Sequence, residues 1–249
     1  MRKLKIIAAI PARYQSTRLP GKLMADLGGT PVIRRTLENI QAMNLFNDTV
    51  VVTDSDEIES VVSDIGPVLR SRETHTCGTD RIAEFASEFD ADIIFNVQGD
   101  EPFLGKTDID RMMKTFYEDT DEKIDVMSLR HQIVERMDRN NPNYVKVVCD
   151  LHDNALYFSR SEIPFRRKDG DLPTYRHIGI YAFRKNALVQ FAAQPPTPLE
   201  SLEMIEAIRI LEMGMKLRLL DAHQVTIGID TKEDLIWANL FLEKNQSGN

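Results

Sequence analysis

Short apolar runs alternate with segments of helical periodicity along the first part of this chain, and this alternation limits the fold more than any other feature. Residues 4–10 and 93–97 are apolar runs of strand length, and residues 32–43 between them carry apolar side chains at helical spacing. A repeated strand–loop–helix order predicts a parallel sheet with helices on its faces. We therefore expect an α/β fold with a mainly parallel sheet, whose ligands bind beyond the carboxyl ends of the strands.

Residues 125–185 follow a different pattern, in which short strands are separated by turns. The strands are predicted at residues 126–129, 145–149, 155–158 and 179–183. We interpret this region as an antiparallel excursion from the parallel sheet. Such an excursion commonly carries a second substrate or an oligomer contact, and a solvated surface insertion is the competing interpretation. The whole chain, residues 1–249, is expected to form one domain with 125–185 as a subregion.

Two more elements are predicted near polar turns. A helix over residues 82–89 would be capped by Thr79 or Asp80, whose side chains can accept a hydrogen bond from the first helical N–H groups. Residues 225–230 predict a last strand, which ends on an aspartate. Both predictions place polar side chains at the ends of apolar elements.

The last part of the chain predicts two helices. Residues 199–213 carry apolar side chains on one face. An adjacent acidic stripe, which we expect to be solvated, is formed by Glu200, Glu203 and Glu206. The terminal helix is predicted to end near residue 244, and it begins with the spacing of a capping box at Thr231 and Asp234.

Composition argues against several classes of protein. The formal net charge of -8 disfavours a general nucleic-acid binder, which needs a basic face, but it allows a local basic pocket for a small anion. Cys77 and Cys149 are too few for a disulfide framework or a thiolate metal site, and they predict a reduced, cytoplasmic setting. No apolar run approaches membrane-spanning length and no signal-peptide pattern is present, so we expect neither a nucleic-acid nor a membrane partner.

The loop of residues 10–22 follows the first predicted strand and is rich in Pro, Gly, Ser and Thr. It carries three cations, Arg13, Arg18 and Lys22. Fixed backbone N–H groups and cations that converge in a loop can hold phosphate oxygens. We interpret the loop as a phosphate-binding segment, and a charged surface turn is the plainer alternative.

A second polar loop, residues 98–102, ends the predicted strand at 93–97. It contains two carboxylates, Asp100 and Glu101, at the expected ligand edge of the sheet. Mg²⁺ takes one or two protein carboxylates together with substrate phosphates. The loop is therefore either half of a magnesium site or a polar turn that closes a strand.

Six segments, in order along nearly the whole chain, closely resemble the signatures of the CMP-Kdo synthetases, the 3-deoxy-manno-octulosonate (Kdo) cytidylyltransferases of lipopolysaccharide synthesis. They are residues 11–14, 16–22, 96–102, 156–160, 176–181 and 229–231. The first loop is shared more widely among sugar nucleotidyltransferases. The segments Leu-Tyr-Phe-Ser-Arg at 156–160 and Arg-His-Ile-Gly-Ile-Tyr at 176–181 are much more specific.

The resemblance implies a Rossmann-like nucleotidyltransferase fold, a homodimer, and the use of CTP and Mg²⁺, with the antiparallel insertion serving sugar binding and dimerisation. It implies catalytic roles for Arg13, Lys22, Asp100 and Asp230, the two aspartates being the metal ligands. The implied CTP-binding residues are Pro11, Ala12, Arg13, Lys22, Gly78, Thr79, Arg81 and Gln98. The implied sugar-binding residues are Arg160, His177, Tyr181 and Glu206.

The implied reaction is attack of the anomeric hydroxyl of Kdo on the α-phosphorus of CTP, with release of pyrophosphate. Other readings are an acylneuraminate cytidylyltransferase, a glycosyltransferase, and a non-catalytic nucleotide sensor on the same scaffold. A glycosyltransferase usually carries Asp-x-Asp where this chain has Gly99-Asp100-Glu101. A sensor could lack the metal ligands or Lys22, and all of them are present.

Four residues, at three places in the chain, depart from the family pattern. Cys77 stands where the family usually has Ser, and Phe165-Arg166 replaces the usual aromatic–acidic pair. Ala207 stands where the family usually has a Gln that faces the sugar. The loss of that amide is expected to open room at the sugar, so a modified Kdo such as the 8-amino form is an alternative substrate.

Overall fold

The computed structural model describes residues 3–16, 18–72, 75, 77–168, 172–223 and 227–246. The chain divides into two compact units. The first combines Met1–Lys106 with Thr226–Asn249, and the second is formed by Thr107–Val225. The first unit is therefore assembled from two stretches of sequence, and the subregion predicted at residues 125–185 lies within the second. The organisation of residues 1–249 as one domain stays a prediction.

Most elements lie where the sequence predicts them, with small shifts at their ends. The strands are β1 (Ile6–Ala12), β2 (Asp48–Thr53), β3 (Val68–Arg70), β4 (Ile93–Asn96), β5 (Val126–Ile133), β6 (Lys146–Cys149), β7 (Ala155–Ser159), β8 (Thr174–Arg184) and β9 (Leu217–Asp221). The helices are α1 (Val32–Ala42), α2 (Asp56–Val62), α3 (Gly78–Ala83), α4 (Lys106–Glu118), α5 (Arg136–Arg139), α6 (Lys185–Ala193), α7 (Pro198–Glu203), α8 (Ala207–Glu212) and α9 (Lys232–Gln246). Within the described ranges no helix has both the length and the apolar character needed to cross a bilayer.

The first unit contains a parallel sheet in the order β3-β2-β1-β4. Strand β1 is buried along its whole length, and its Ala9 pairs with Val50 on one side and with Asn96 on the other. A strand covered on both faces needs a continuous apolar run, which explains why residues 4–10 show no alternation. The predicted α/β fold with a largely parallel sheet is confirmed.

The second unit contains a mixed sheet. Strand β5 runs antiparallel to β8 and parallel to β9, and β6 runs antiparallel to both β7 and β8. The antiparallel pairs coincide with the predicted excursion at residues 125–185. Strand β8 begins before the predicted residue 179, because Thr174 to Arg176 already pair with β5.

The helix predicted over residues 199–213 is two helices, and this prediction was wrong. Helix α7 ends at Glu203, and the next residue, Met204, has a left-handed φ of 55°. Helical periodicity continues across the break, so the residue pattern could not reveal a single residue with a positive φ angle. The expectation of a solvated acidic stripe was also wrong. Glu200 is buried and pairs with Arg209, and Glu203 accepts hydrogen bonds from Ser159 and from the backbone of Arg160.

Two other predictions also differ from the structure. Residues 227–230 form no strand, and the start of the predicted strand, at 225–226, lies outside the described residues. The helix expected at 82–89 runs over Gly78–Ala83, with Cys77 as its cap instead of Thr79 or Asp80. The sulfur of Cys77 accepts a hydrogen bond from the backbone N–H of Asp80 at 3.4 Å, which starts the helix earlier than expected.

Candidate functional site

A cavity of about 110 Å³ opens at the carboxyl ends of β1 and β4 in the first unit. It is lined by Pro11, Ala12, Arg13, Lys22, Leu23, His75, Cys77, Gly78, Arg81, Gln98, Gly99 and Asp100. The structure therefore brings together every predicted CTP-binding residue except Thr79, which is buried. This is the edge of a parallel sheet at which ligands are expected.

Lys22 links the two predicted metal ligands. Its Nζ donates a hydrogen bond to Oδ2 of Asp100 and lies 2.9 Å from Oδ1 of Asp230. Burial by itself lowers the pKa of Lys22, but the charges of Asp100 and Asp230 outweigh this effect, and the pKa is raised. The ammonium is therefore charged at neutral pH and lies between two carboxylates that come from distant parts of the sequence.

Backbone contacts place Asp230 beside Asp100. The N–H of Ile229 donates to the carbonyl oxygen of Asp100 at 2.9 Å. The carboxylate of Asp234 accepts hydrogen bonds from the N–H groups of Asp230 (3.1 Å) and Thr231 (2.8 Å), which confirms the capping box at the start of α9. Asp230 is thus held by a loop hydrogen bond and a helix cap, and not by the strand that we predicted.

The basic loop turns sharply just before Lys22. Gly21 has a φ of 66°, a conformation that only glycine adopts without strain. Arg18 lies 2.9 Å from Oδ1 of Asp230, and Arg13 is exposed at the cavity rim. Thr17 lies outside the described residues. Two cations of the loop therefore meet the carboxylate of Asp230, and Arg13 remains on the surface.

Arg81 lines the cavity, but its guanidinium is held by protein groups. It lies 3.1 Å from Oδ1 of Asp54 and donates to Oγ of Ser71. The side chain is almost completely buried. Its charge is already balanced, so Arg81 is better placed to support the cavity wall than to pair with a phosphate.

The wall at Gly78 is closely packed. A Cβ atom at this position would lie 2.9 Å from Oε1 of Gln98 and 3.1 Å from Cγ of Pro11, so only glycine fits without a shift. The neighbouring Cys77 caps α3 through its sulfur. The thiol therefore takes the capping position that a Ser hydroxyl would otherwise fill.

His75 is a cavity residue that the sequence reasoning missed. Its Nε2 lies 2.7 Å from Oε2 of Glu84, a carboxylate that also accepts from the N–H of Arg72. Burial by itself raises the pKa of Glu84, but hydrogen bonds from Arg72 and His75 outweigh it, and the pKa is lowered. Nothing in the residue pattern around His75 separates it from an ordinary loop histidine, because its partner is fixed only by the fold.

The predicted sugar-binding residues lie in the second unit, and one of them, Arg160, is tied to two loops. Its guanidinium donates to the carbonyl oxygens of Glu203 (2.9 Å), Pro142 (2.9 Å) and Met204 (3.2 Å). These bonds use three of its five N–H donors. Among the described residues, one N–H on each terminal nitrogen of Arg160 has no acceptor.

Arg160 is also held through its own carbonyl oxygen by Lys146, which sequence reasoning did not single out. The Nζ of Lys146 donates to this oxygen and to the carbonyl oxygens of Asn141 (2.9 Å) and Tyr144 (2.7 Å). Burial lowers the pKa of Lys146, and the nearby charge of Arg160 lowers it further. Three carbonyl oxygens thus replace water around a buried lysine.

His177 and Tyr181 pack together in the same unit. The ring centroids lie 5.3 Å apart, and the imidazole also meets Phe158 at 4.9 Å. Burial lowers the pKa of His177 to about 3, so the ring is neutral at pH 7. Its Nε2 lies 2.8 Å from Oγ of Ser128, which donates to the carbonyl oxygen of Ile180 and so accepts from the histidine. The Nδ1 atom therefore carries a lone pair.

Glu206 and Ala207 lie at the start of α8. Glu206 is the residue that precedes the helix, and it is partly buried. Ala207 is completely buried. The room that we expected from the small side chain is therefore not open to solvent at this position.

The parallel sheet, the glycine-containing basic loop and the Lys22–Asp100–Asp230 cluster meet at one strand edge, the arrangement that we predicted for a nucleotidyltransferase. The chain belongs to the cytidylyltransferase family, whose family model matches residues 7–217. Among its relatives are two enzymes named 3-deoxy-manno-octulosonate cytidylyltransferase. That of Flavobacterium johnsoniae is 49% identical over 96% of this chain and 99% of its own. That of Christiangramia forsetii is 48% identical over 96% and 98%.

Solved structures agree with the family. A CMP:2-keto-3-deoxy-manno-octonic acid synthetase complexed with CTP superposes with a TM-score of 0.90 and 32% identity, covering 97% of this chain and 99% of that one. A 4-diphosphocytidyl-2C-methyl-D-erythritol synthase from Anaerococcus prevotii has a TM-score of 0.63 at 17% identity, over 96% of this chain and 99% of that one. The second likeness concerns the fold alone.

Proposed function

We propose that this chain is a Kdo cytidylyltransferase, which transfers CMP from CTP to the anomeric hydroxyl of Kdo and releases pyrophosphate. The observation that carries the proposal is the charged Lys22 between Asp100 and Asp230 in a cavity at the strand edge. Two relatives that cover 96% of the chain at nearly half identity carry this activity in their names.

The cations of the basic loop are the natural partners of the triphosphate. Arg13 is exposed at the cavity rim, and Lys22 is charged within it. In phosphoryl transfer the barrier arises mainly from charge repulsion and alignment, so fixed cations that neutralise phosphate oxygens are the main catalytic device. Lys22 would exchange part of its contact with the two carboxylates for a phosphate oxygen when CTP binds.

Asp100 and Asp230 fit the magnesium ion that the family implies. Both carboxylates already share one cation, the ammonium of Lys22, which shows that they converge on a common positive charge. Within the described ranges no cluster of three or more His, Cys, Asp or Glu side chains is present. Two protein carboxylates match the preference of Mg²⁺ for a few carboxylates plus phosphate oxygens. When bound, the ion would supply neutralisation of the phosphate charge.

The sugar acid is assigned to Arg160, His177, Tyr181 and Glu206. The two free N–H groups of Arg160 suit a carboxylate, which a guanidinium can bind in a bidentate way. The lone pair on Nδ1 of His177 suits a sugar hydroxyl that donates a hydrogen bond. His177 is not a general base at neutral pH, because a group with a pKa of about 3 holds a proton too weakly.

A modified Kdo is a second candidate substrate, because Ala207 stands where the family usually has a glutamine. An 8-amino group would replace a sugar hydroxyl with a cation. The acidic side chain of Glu206, next to Ala207, would favour that cation. The relative kcat/KM for Kdo and 8-amino-Kdo therefore distinguishes the two candidate substrates.

We also propose that the protein is a homodimer in the cytoplasm. Six large apolar side chains in residues 134–172 of the second unit are strongly exposed, which is typical of a surface that meets another protein. They are Val134, Met137, Leu151, Leu156, Phe165 and Leu172. Cys77 and Cys149 are free thiols, in keeping with a reducing compartment. Sedimentation velocity of the wild type and of Phe165→Asp tests the dimer.

A pyrophosphate-release assay with CTP and Mg²⁺ tests the function. Kdo, 8-amino-Kdo and N-acetylneuraminate are compared at matched concentrations, and Kdo is expected to give the highest kcat/KM. Asp100→Asn and Asp230→Asn are expected to lose turnover while keeping the wild-type melting temperature. CTP binding without release of pyrophosphate for any of the sugars would reject the proposal in favour of a nucleotide sensor.

A further inference from the structure

A chain of buried amide and hydroxyl groups lies behind the cavity wall in the first unit. Nδ2 of Asn96 donates to Oγ1 of Thr79 at 2.8 Å, and Oδ1 of Asn96 accepts from Nε2 of Gln98 at 3.0 Å. Asn96 and Thr79 are each only 1% exposed. With Nδ2 of Asn96 turned to Thr79, its oxygen faces Gln98, so reversing the Gln98 amide alone would set two acceptors against each other.

The network determines which end of the Gln98 amide is available. Its NH₂ group is turned toward Asn96, so its oxygen is the end left for another partner. Among the described residues none donates a hydrogen bond to Oε1 of Gln98. The amide lies against Gly78, whose hypothetical Cβ would be 2.9 Å from this oxygen, and both Gln98 and Gly78 line the cavity. A hydrogen-bond acceptor of fixed polarity is therefore presented at the cavity wall.

We propose that Asn96 is a positioning residue for nucleotide selection, which holds Gln98 so that its Oε1 accepts a hydrogen bond from a donor on the nucleoside. The inference rests on the proposed use of CTP. The donor is an N–H or O–H group, and CTP offers two kinds, the 4-amino group of cytosine and the hydroxyls of ribose. UTP lacks the amino group and 2′-deoxy-CTP lacks one hydroxyl, so the two analogues separate the two sources.

Three features of the geometry support this role. Asn96 is the last residue of β4 and pairs with Ala9 of β1, so its backbone is fixed by the sheet. Thr79 is fixed in the first turn of α3. Asn96 does not line the cavity, so its effect on a ligand has to pass through Gln98.

The test measures equilibrium binding of CTP, UTP and 2′-deoxy-CTP to the full chain in the presence of Mg²⁺. Asn96→Leu has a similar volume but cannot orient Gln98. It is expected to reduce the preference for CTP over one of the two analogues by about five- to tenfold, the effect of one lost hydrogen bond. Asn96→Asp can only accept from Nε2 of Gln98, so it is expected to retain the wild-type preference.

Asn39→Leu is the matched control, because Nδ2 of Asn39 donates to the carbonyl oxygen of Leu104 at 3.0 Å and does not line the cavity. It is expected to leave both nucleotide preferences unchanged. If Asn96→Leu weakens all three nucleotides equally, its role is only structural and the inference is overturned. Loss of preference in Asn96→Asp overturns it as well. It would show that the wild type presents the NH₂ group of Gln98, and not its oxygen, to the nucleotide.

The wild-type measurements separate this inference from the proposed function. If the wild type binds no CTP, both the proposed function and the role of Asn96 are rejected. A wild type that binds CTP and releases pyrophosphate, but whose preferences do not depend on residue 96, rejects only the role of Asn96.

Discussion

The ammonium of Lys22 lies 2.9 Å from Oδ1 of Asp230 and also contacts Asp100, so a protein cation holds the position in which two carboxylates converge. Without ligands this arrangement keeps the two carboxylates from repelling each other. It also means that Lys22 competes with any added cation for them. The competition can be measured separately from catalysis.

Lys22→Met is expected to bind Mg²⁺ more tightly than the wild type in the absence of nucleotide, by about tenfold, because the competing charge is gone. It is also expected to lose turnover by at least about a hundredfold, since a cation no longer faces the triphosphate. Calorimetric titration with Mg²⁺ and pyrophosphate release check the two effects. Lys3→Met, at an exposed position, is the control. Unchanged or weaker Mg²⁺ binding in Lys22→Met would contradict the metal assignment.

Glu200→Gln is expected to lower the free energy of unfolding by about 3 kcal/mol. Arg209 is almost completely buried, and its Nε and Nη2 atoms lie 2.7 and 2.6 Å from the two carboxylate oxygens of Glu200, so loss of that charge leaves a buried cation unbalanced. Urea denaturation measures the change. Asp110→Asn, in the exposed pair with Lys114, is the control and is expected to change stability by less than about 0.5 kcal/mol. Equal effects of the two substitutions would show that burial of an ion pair does not increase the stability lost when its carboxylate is removed.

Acid is expected to destabilise the protein through His177. The unfolded chain takes up a proton near pH 6.5, whereas burial lowers the pKa of His177 to about 3 in the folded state. Between these values the unfolded state holds more protons, so stability falls as the pH is lowered. Because part of the residue reaches the surface, we expect a loss of about 1 to 2 kcal/mol between pH 6.5 and pH 5. The free energy of unfolding of His177→Gln, measured by urea denaturation, should lack this part of the pH dependence. If the free energies of wild type and variant fall in parallel as the pH is lowered, the low pKa of His177 is refuted.

Ala207→Gln is expected to change the relative kcat/KM for Kdo and 8-amino-Kdo, because it restores the amide that the family usually carries. The position is completely buried, so the larger side chain is also expected to lower stability by about 1 to 3 kcal/mol. Ala207→Leu introduces similar bulk without an amide and separates packing from hydrogen bonding. If both variants alter the ratio of the two sugars equally, or neither does, the amide has no part in sugar choice.

The parallel sheet and the convergence of Lys22 with Asp100 could be predicted from sequence, because loops that follow parallel strands meet at one edge. The same reasoning correctly predicted that Asp230 lies near Asp100. It relied on a strand that ends at Asp230, whereas residues 227–230 form none. Its approach depends on the hydrogen bond between Ile229 and the carbonyl oxygen of Asp100, and not on a strand. A backbone hydrogen bond of this kind does not depend on residue type, so it cannot be predicted from the sequence.

The interactions that sequence reasoning missed share a physical cause. The partner of His75 is Glu84 and the partners of Lys146 are carbonyl oxygens, so neither contact follows from a spacing rule. The break at Met204 depends on one left-handed residue, which leaves the hydrophobic period of α7 and α8 intact. Periodicity does not report whether the φ angle of a residue is positive, and it does not report the identity of a distant partner.

The first unit takes its residues from both ends of the chain, and Asp230 belongs to the later stretch. During synthesis the segment that carries Asp230 therefore leaves the ribosome only after the whole second unit. A nascent chain that already contains Lys22 and Asp100 still lacks the second carboxylate of the cluster. The cluster can thus be completed only after Asp230 has been translated, so products truncated before this residue cannot assemble it.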